Sequence, residues 1–317
     1  MSVKKKGLYA GAVTATLLWG SAFPCVKVGY QWLGIEGKDT GSQMLFAGIR
    51  FLLAGLCVLF LYWLVLCLRR SKNQYASSSE GCDKDEKVIA SHFKILMLLA
   101  ITQTFLQYFF YYVGLAHVTG TKGSIMNSLG TLLTVIFGMI YFRTKPEAEK
   151  IVGVFLGLIG VMIVCFSGIS GGLSLAGEGA LFLSAVFIAI GNIVNKKAAT
   201  GINPLLVTGF HLSVGGLMLL LLGVIMKGSL QITGVKTIFL MLYMVFISAA
   251  GFGIWSSLLK WYPVEEVAVF LFLTPVFGTI LSGLVLGESL NFIMLIALVC
   301  VCIGIALCNH SKISEVQ

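Results

Sequence analysis

Ten predominantly apolar stretches follow one another along the chain, at residues 8–30, 43–68, 93–115, 119–142, 151–168, 179–195, 204–226, 237–259, 264–286 and 290–309. Each is close to the ~20 residues a helix needs to cross a bilayer. Of the 317 residues, 58% are hydrophobic and 11% charged, with a mean hydropathy of +0.97. A soluble domain carries about 25% charged residues to build its polar shell, so a water-soluble enzyme is excluded. Five prolines and no polar tract exclude a disordered or collagen-like chain. The period-two alternation of a membrane β-barrel is absent from these runs. The expected fold is an all-α integral membrane protein with ten transmembrane helices.

Lys4, Lys5 and Lys6 precede the first run in the manner of a signal peptide, and Cys25 suggests a lipoprotein. However, Phe23-Pro24 is not a small-residue cleavage site, and the run is long for a signal core. It reads as a retained helix. The other cysteines sit in or at the ends of apolar runs as small hydrophobes, except Cys82 in a polar loop. No metal-ligand spacing is present, so no metal site or cofactor is expected.

The net charge of +9 does not point to nucleic acid, because the basic residues lie in short loops between apolar runs. With a cytoplasmic N-terminus, one side holds Lys4, Lys5, Lys6, Arg69, Arg70, Lys72, Lys84, Lys87, Lys94, Arg143, Lys145, Lys150, Lys196, Lys197, Lys260 and Lys312. The other side holds only Lys38, Lys122, Lys227 and Lys236. This asymmetry predicts cytoplasmic N- and C-termini in a plasma membrane, the cytoplasmic membrane if the source is bacterial. The polar segment 69–92 mixes both charge signs with Ser77-Ser78-Ser79 and is expected to be a flexible cytoplasmic connector.

The chain also repeats itself. At an offset of 170, Ala10, Ala15 and Lys27 meet Ala180, Ala185 and Lys197; at 161, Leu45, Gly48, Gly55 and Leu56 meet Leu206, Gly209, Gly216 and Leu217. At 145, Thr134 and Gly138 meet Thr279 and Gly283, and at 144 Gly160 meets Gly304. Helix order is kept throughout, which predicts two units, 1–168 and 169–317, of five spans each. An odd number of spans inverts the second unit in the membrane, as in carriers that exchange inward-open and outward-open shapes.

Several motifs then coincide. Trp19-Gly20-Ser21-Ala22-Phe23-Pro24 with Lys27, and Arg50-Phe51, open the first unit. Tyr262-Pro263-Val264-Glu265, Thr274-Pro275-Val276-Phe277 and Leu286-Gly287-Glu288 lie in the second. In these residues the chain resembles the EamA-type branch of the drug/metabolite transporter superfamily over nearly its whole length. The resemblance implies a ten-helix carrier of metabolites, amino acids, nucleotide sugars or drugs. The first unit departs from the pattern: Gly130 and Arg143 stand where Pro275 and Glu288 stand in the second.

Polar groups inside a span cost free energy unless partnered or wet, so they point inward. Gln103, Gln107 and Tyr111 share one face of the third helix, and Asn127, Thr131 and Thr134 one face of the fourth. These stripes predict a central cavity; packing of the bundle by interhelical hydrogen bonds is the alternative. Arg50 could clamp a substrate carboxylate or phosphate, or else bond a backbone carbonyl or snorkel outward. His211, which corresponds to Arg50 in the repeat, could carry a proton or pack as a neutral imidazole. Trp19, Phe23, Phe105, Tyr108, Trp255 and Phe272 are candidates for an aromatic wall, and Trp32 and Trp261 for interface anchors. Pro24 and Pro275 are expected to kink or break helices one and nine as hinges. Gly153, Gly157 and Gly160 suit close helix packing.

No acidic residue lies near the middle of a span and no phosphate-binding Gly-x-x-x-x-Gly-Lys-Ser/Thr loop occurs, so neither a carboxylate proton relay nor direct ATP drive is expected. The sequence therefore reads as a secondary carrier that moves a small metabolite, such as an amino acid or drug-like compound, by alternating access. It would work as a uniporter or exchanger with at most weak proton coupling through His211, as a monomer or homodimer in the lipid bilayer. A membrane-embedded lipid-processing enzyme and a channel are the alternatives. No catalytic residues are assigned.

Overall fold

The computed structural model describes residues 3–72, 80–143, 148–166, 174–232, 234–288 and 292–310. Among them the backbone forms helical rods in the order α1 (Val3–Leu33), α2 (Thr40–Lys72) and α3, which runs through Glu80–Leu99, a π-helical stretch Ala100–Leu106 and Gln107–His117. Then come α4 (Gly120–Phe142), α5 (Ala148–Phe166) and α6, a π turn Leu175–Gly179 leading into Ala180–Gly201. They are followed by α7 (Pro204–Ile225), α8 (Val235–Trp261) and α9, made of Val264–Ala268, a 3-10 turn Val269–Phe272 and Leu273–Leu286. The last is α10 (Phe292–His310). Eight of these are long and apolar enough to cross a membrane, and residues Ile151–Gly160 of α5 add a shorter apolar segment.

The rods begin and end where the sequence dictates. Thr119 caps α4 by accepting the N–H of Lys122, and Asn203 caps α7 by accepting that of Leu205, ahead of Pro204 in the first turn. α1 continues unbroken through Pro24, so the expected break in helix one does not occur. In α9 the departure from α-helical geometry lies just ahead of Pro275, at the 3-10 turn. The proline nitrogen offers no hydrogen to the carbonyl four residues back, and a tighter turn is one accommodation of that loss.

The segment 69–92 is not simply a flexible connector. α2 extends to Lys72 and α3 starts at Glu80. Glu80 and Lys84, and Asp83 and Lys87, are spaced i, i+4 along that helix, a spacing that supports helix without an apolar stripe. The Ser-rich part, 73–79, lies outside the described residues.

Packing is dominated by α2 against α7 and α5 against α10. The repeated glycines set the first seam: a Cβ on Gly216 would lie 2.3 Å from Leu52 N, and one on Gly209 2.6 Å from the Leu59 side chain. At the second seam a Cβ on Gly304 would lie 2.6 Å from Gly153 O, so the Gly153/Gly157 pair serves internal packing. α1 packs on α8 and α9, α6 on α3 and α4, and α4 on α9. Large apolar side chains such as Phe60, Phe155, Phe239, Leu284 and Phe292 are exposed around the rods, far beyond the apolar patches of a soluble monomer. They form the lipid-facing surface of a multi-pass membrane protein.

Candidate functional site

Where α1 to α4 meet α6, α8 and α9, the side chains line a narrow cavity of about 60 Å³, the space open to the centre of a water-sized sphere. α1 contributes Trp19, Ala22 and Phe23, α2 contributes Arg50, and α3 contributes Gln103, Gln107, Tyr108 and Tyr111. Asn127 and Thr131 come from α4, Ile188 and Asn192 from α6, Phe252 from α8, and Leu271 and Thr274 from α9.

The two polar stripes of α3 and α4 thus share one space. The cavity mixes amides and hydroxyls from α3, α4, α6 and α9 with rings from α1, α3 and α8. Trp19 lies 5.1 Å from Phe252 and 5.2 Å from Trp255, and Phe23 lies 5.6 Å from Tyr111, centroid to centroid. Toward one end a hydrogen-bonded network joins four helices. Trp255 Nε1 donates to Asn192 Oδ1 at 2.9 Å, and Asn192 Nδ2 donates to Thr134 Oγ1 at 3.2 Å. Asn195 Nδ2 donates to Gln103 Oε1 at 3.0 Å and to Ser256 Oγ at 3.1 Å. The amides of Asn192 and Gln103 are thereby oriented by partners behind the cavity wall.

Arg50 is 1% exposed. Its Nε donates to Ser248 Oγ at 2.7 Å and Met244 O at 3.2 Å, and its Nη1 donates to Tyr112 Oη at 3.0 Å. The guanidinium also lies 4.7 Å over the Phe51 ring. It does not snorkel to a surface. The carbonyl partner considered from the sequence is present, and the same side chain reaches the cavity.

His211 is fully buried, bonded through Nδ1 to Thr104 Oγ1 at 2.8 Å and packed 5.4 Å from the Phe252 ring. It does not line the cavity. The position that corresponds to Arg50 in the repeat faces the π stretch of α3, so it is a packed imidazole one layer behind the wall. The side chain of Phe272 lies outside the described residues. Pro24 and Pro275 are both buried near the cavity-lining residues of their helices but do not line it. Asn192, Phe252, Ile188, Leu271, Ala22 and Thr274 were not singled out as cavity residues from the sequence. Asn192 and Asn195, spaced i, i+3 in an otherwise apolar helix, were the signal that could have found the α6 wall.

A second, more open cleft is lined by Lys27 and Gln31 of α1, Ala116, His117, Val118 and Thr119 at the α3–α4 turn, and Leu286 and Glu288 at the end of α9. The Glu288 carboxylate accepts from Gly120 N at 2.9 Å, Thr121 N at 2.8 Å and Thr121 Oγ1 at 2.5 Å. It satisfies the orphan donors of the α4 N-terminus and complements the helix dipole there. Nearby, Lys122 pairs with Glu178 of α6.

The helices and the polar cavity they enclose make this a multi-pass membrane protein, and its similarities to known proteins place it among transporters. The chain belongs to the EamA-like transporter family, which matches residues 7–166 and 175–309. It is 23% identical over 92% of its length to the uncharacterized transporter YvbV of Bacillus subtilis, covering 88% of that protein. It is 25% identical over 93% of its length to a probable amino-acid metabolite efflux pump of Salmonella typhimurium, covering 92% of that protein. A solved crystal structure shares the fold, with a TM-score of 0.69 at 17% identity over 95% of this chain and 96% of that one.

Proposed function

We propose that this chain is a secondary carrier in which two inverted five-helix repeats, residues 1–168 and 169–317, move a small metabolite through the central cavity by alternating access. The observation that carries the reading is the cavity itself. It is bounded by α1 to α4 of one repeat and α6, α8 and α9 of the other, and sites of this kind sit at repeat interfaces. The packing order supports the inverted repeat. Exchanging helices one to five with six to ten turns α1 on α8 into α6 on α3, α1 on α9 into α6 on α4, and α2 on α8 into α7 on α3, all of them contacts present in the fold.

The mixture of amides, hydroxyls and rings suits a small amphipathic molecule. The Salmonella relative bears the name of an amino-acid metabolite efflux pump, which favours amino acids and compounds derived from them. α5 and α10 pack on each other and contribute no described lining residue, as befits peripheral supports. The positive-inside asymmetry supports cytoplasmic termini in a plasma or bacterial cytoplasmic membrane. Transport would be uniport or exchange.

The test is counterflow in proteoliposomes with a panel of amino acids and their derivatives. Saturable uptake with counterflow supports the carrier. Flux without counterflow would mean a channel, and chemical turnover without flux an enzyme.

A further inference from the structure

We propose that the cavity takes an amphipathic monocarboxylate, its carboxylate on Arg50, and that Ser248 and Tyr112 are the positioning residues that leave the guanidinium's charge unspent for it. This inference rests on the carrier reading and names the substrate class of the same site.

The guanidinium is buried, and each of its bonds goes to a neutral acceptor: Ser248 Oγ, Met244 O and Tyr112 Oη. No described residue accepts from Nη2, and no described carboxylate lies within ion-pair distance of Arg50. The other ionisable groups around it are the phenols of Tyr108, Tyr111 and Tyr112 and the thiol of Cys25. A buried cation is normally paired with an anion, because neutral dipoles replace only part of its hydration. Here the protein supplies the dipoles and withholds the anion.

The cage is built to hold the side chain still. Ser248 Oγ donates to Met244 O at 3.0 Å, which turns its lone pairs toward Arg50 Nε. Tyr112 is fully buried, and its own carbonyl accepts from Tyr30 Oη at 2.8 Å. Bonds from Nε to α8 and from Nη1 to α3 therefore fix the plane of the fork, and both Nη2 hydrogens and the second Nη1 hydrogen remain for a carboxylate. One cation and no described anion on the wall call for one net negative charge. On two further lining residues, Trp19 Nε1 and Gln107 Oε1 are buried without a partner among the described residues. Gln107 Oε1 can accept an N–H from the substrate, and the Trp19 and Phe252 rings can hold its apolar body.

The test compares binding of N-acetylleucine and N-acetylleucinamide, which match in shape and differ in charge, by tryptophan fluorescence of the purified protein. The wild type is expected to bind the carboxylate about tenfold or more tightly than the amide. Ser248→Asp sets an anion on Nε and should abolish that preference while amide binding stays unchanged. Ser248→Thr keeps the hydroxyl and should keep the preference. If Ser248→Asp does not fold, Ser248→Ala and Tyr112→Phe serve instead, each weakening carboxylate binding and sparing the amide. Counterflow without any carboxylate preference would overturn the substrate class and leave the carrier standing. A preference that survives Ser248→Asp, or carboxylate affinity unchanged in both Ser248→Ala and Tyr112→Phe, would overturn the positioning role. Loss of counterflow for every compound would sink the carrier reading itself.

Discussion

At the sequence offset of 145, the turn from α3 to α4 corresponds to the turn from α8 to α9, and the two corners are closed by opposite chemistry. At the α8–α9 corner, Lys196 of α6 donates from Nζ to Leu259 O and Tyr262 O, both at 2.8 Å. A cation thus satisfies orphan carbonyls at the end of α8. At the α3–α4 corner, Lys27 of α1 lines the open cleft beside Ala116 and His117, but no described residue accepts a hydrogen bond from it. That corner is held instead by the Glu288 carboxylate on the α4 N-terminus. The first repeat has no acidic counterpart, because Arg143 stands at the matching position, exposed in a left-handed C-cap of α4. Repeats can share a backbone plan while the bonds that close their two ends differ in sign, number and partner. The proposed inverted repeat therefore does not require identical corners.

Three substitutions bear on this contrast. Glu288→Ala removes three charge-assisted or hydroxyl hydrogen bonds and leaves Gly120 N and Thr121 N without their acceptor, with Thr119 alone capping α4. It should cost about 2–3 kcal/mol, read as a lower unfolding midpoint in detergent, and should increase reagent access through the α3–α4 cleft. Lys196→Met keeps the apolar stem but loses two bonds to carbonyls, at a cost of about 1–2 kcal/mol, with access increased at the α8–α9 corner alone. Lys27→Met should change stability by less than about 0.5 kcal/mol. Equal destabilisation by Lys27→Met and Lys196→Met would abolish the contrast, and a Glu288→Ala effect as small as that of Lys27→Met would invert it.

Much of this architecture was legible in the chain. Hydropathy alone located the eight helices that are long and apolar enough to cross a membrane among the described residues, because a bilayer imposes one length on every crossing element. The stripes on α3 and α4 were visible as i, i+4 spacing, and both reach the cavity. Other features were not legible, for physical reasons. The early turns of α3 are helical through polar residues with no apolar period to read. The α6 wall rests on Asn192, a single amide in an apolar run, whose role depends on Trp255 and Thr134 far away in sequence. His211 corresponds to Arg50 in the repeat, yet it bonds Thr104 and packs on Phe252 behind the cavity wall, contacts that no local pattern in the sequence marks. Whether Arg50 would snorkel or turn inward depended on Ser248, Met244 and Tyr112, which no local pattern links to it.

In the proposed carrier the cavity is the substrate path, reached in turn from each side of the membrane. Thr131 lines it, fully buried on α4, and Thr131→Cys is close to isosteric. In a background with the native cysteines removed, this cysteine can be probed in proteoliposomes with a membrane-impermeant thiol reagent applied from either side. The account predicts labelling from both sides, slowed from both by a compound that shows counterflow. Labelling from one side only, or labelling from both that no transported compound slows, would contradict it.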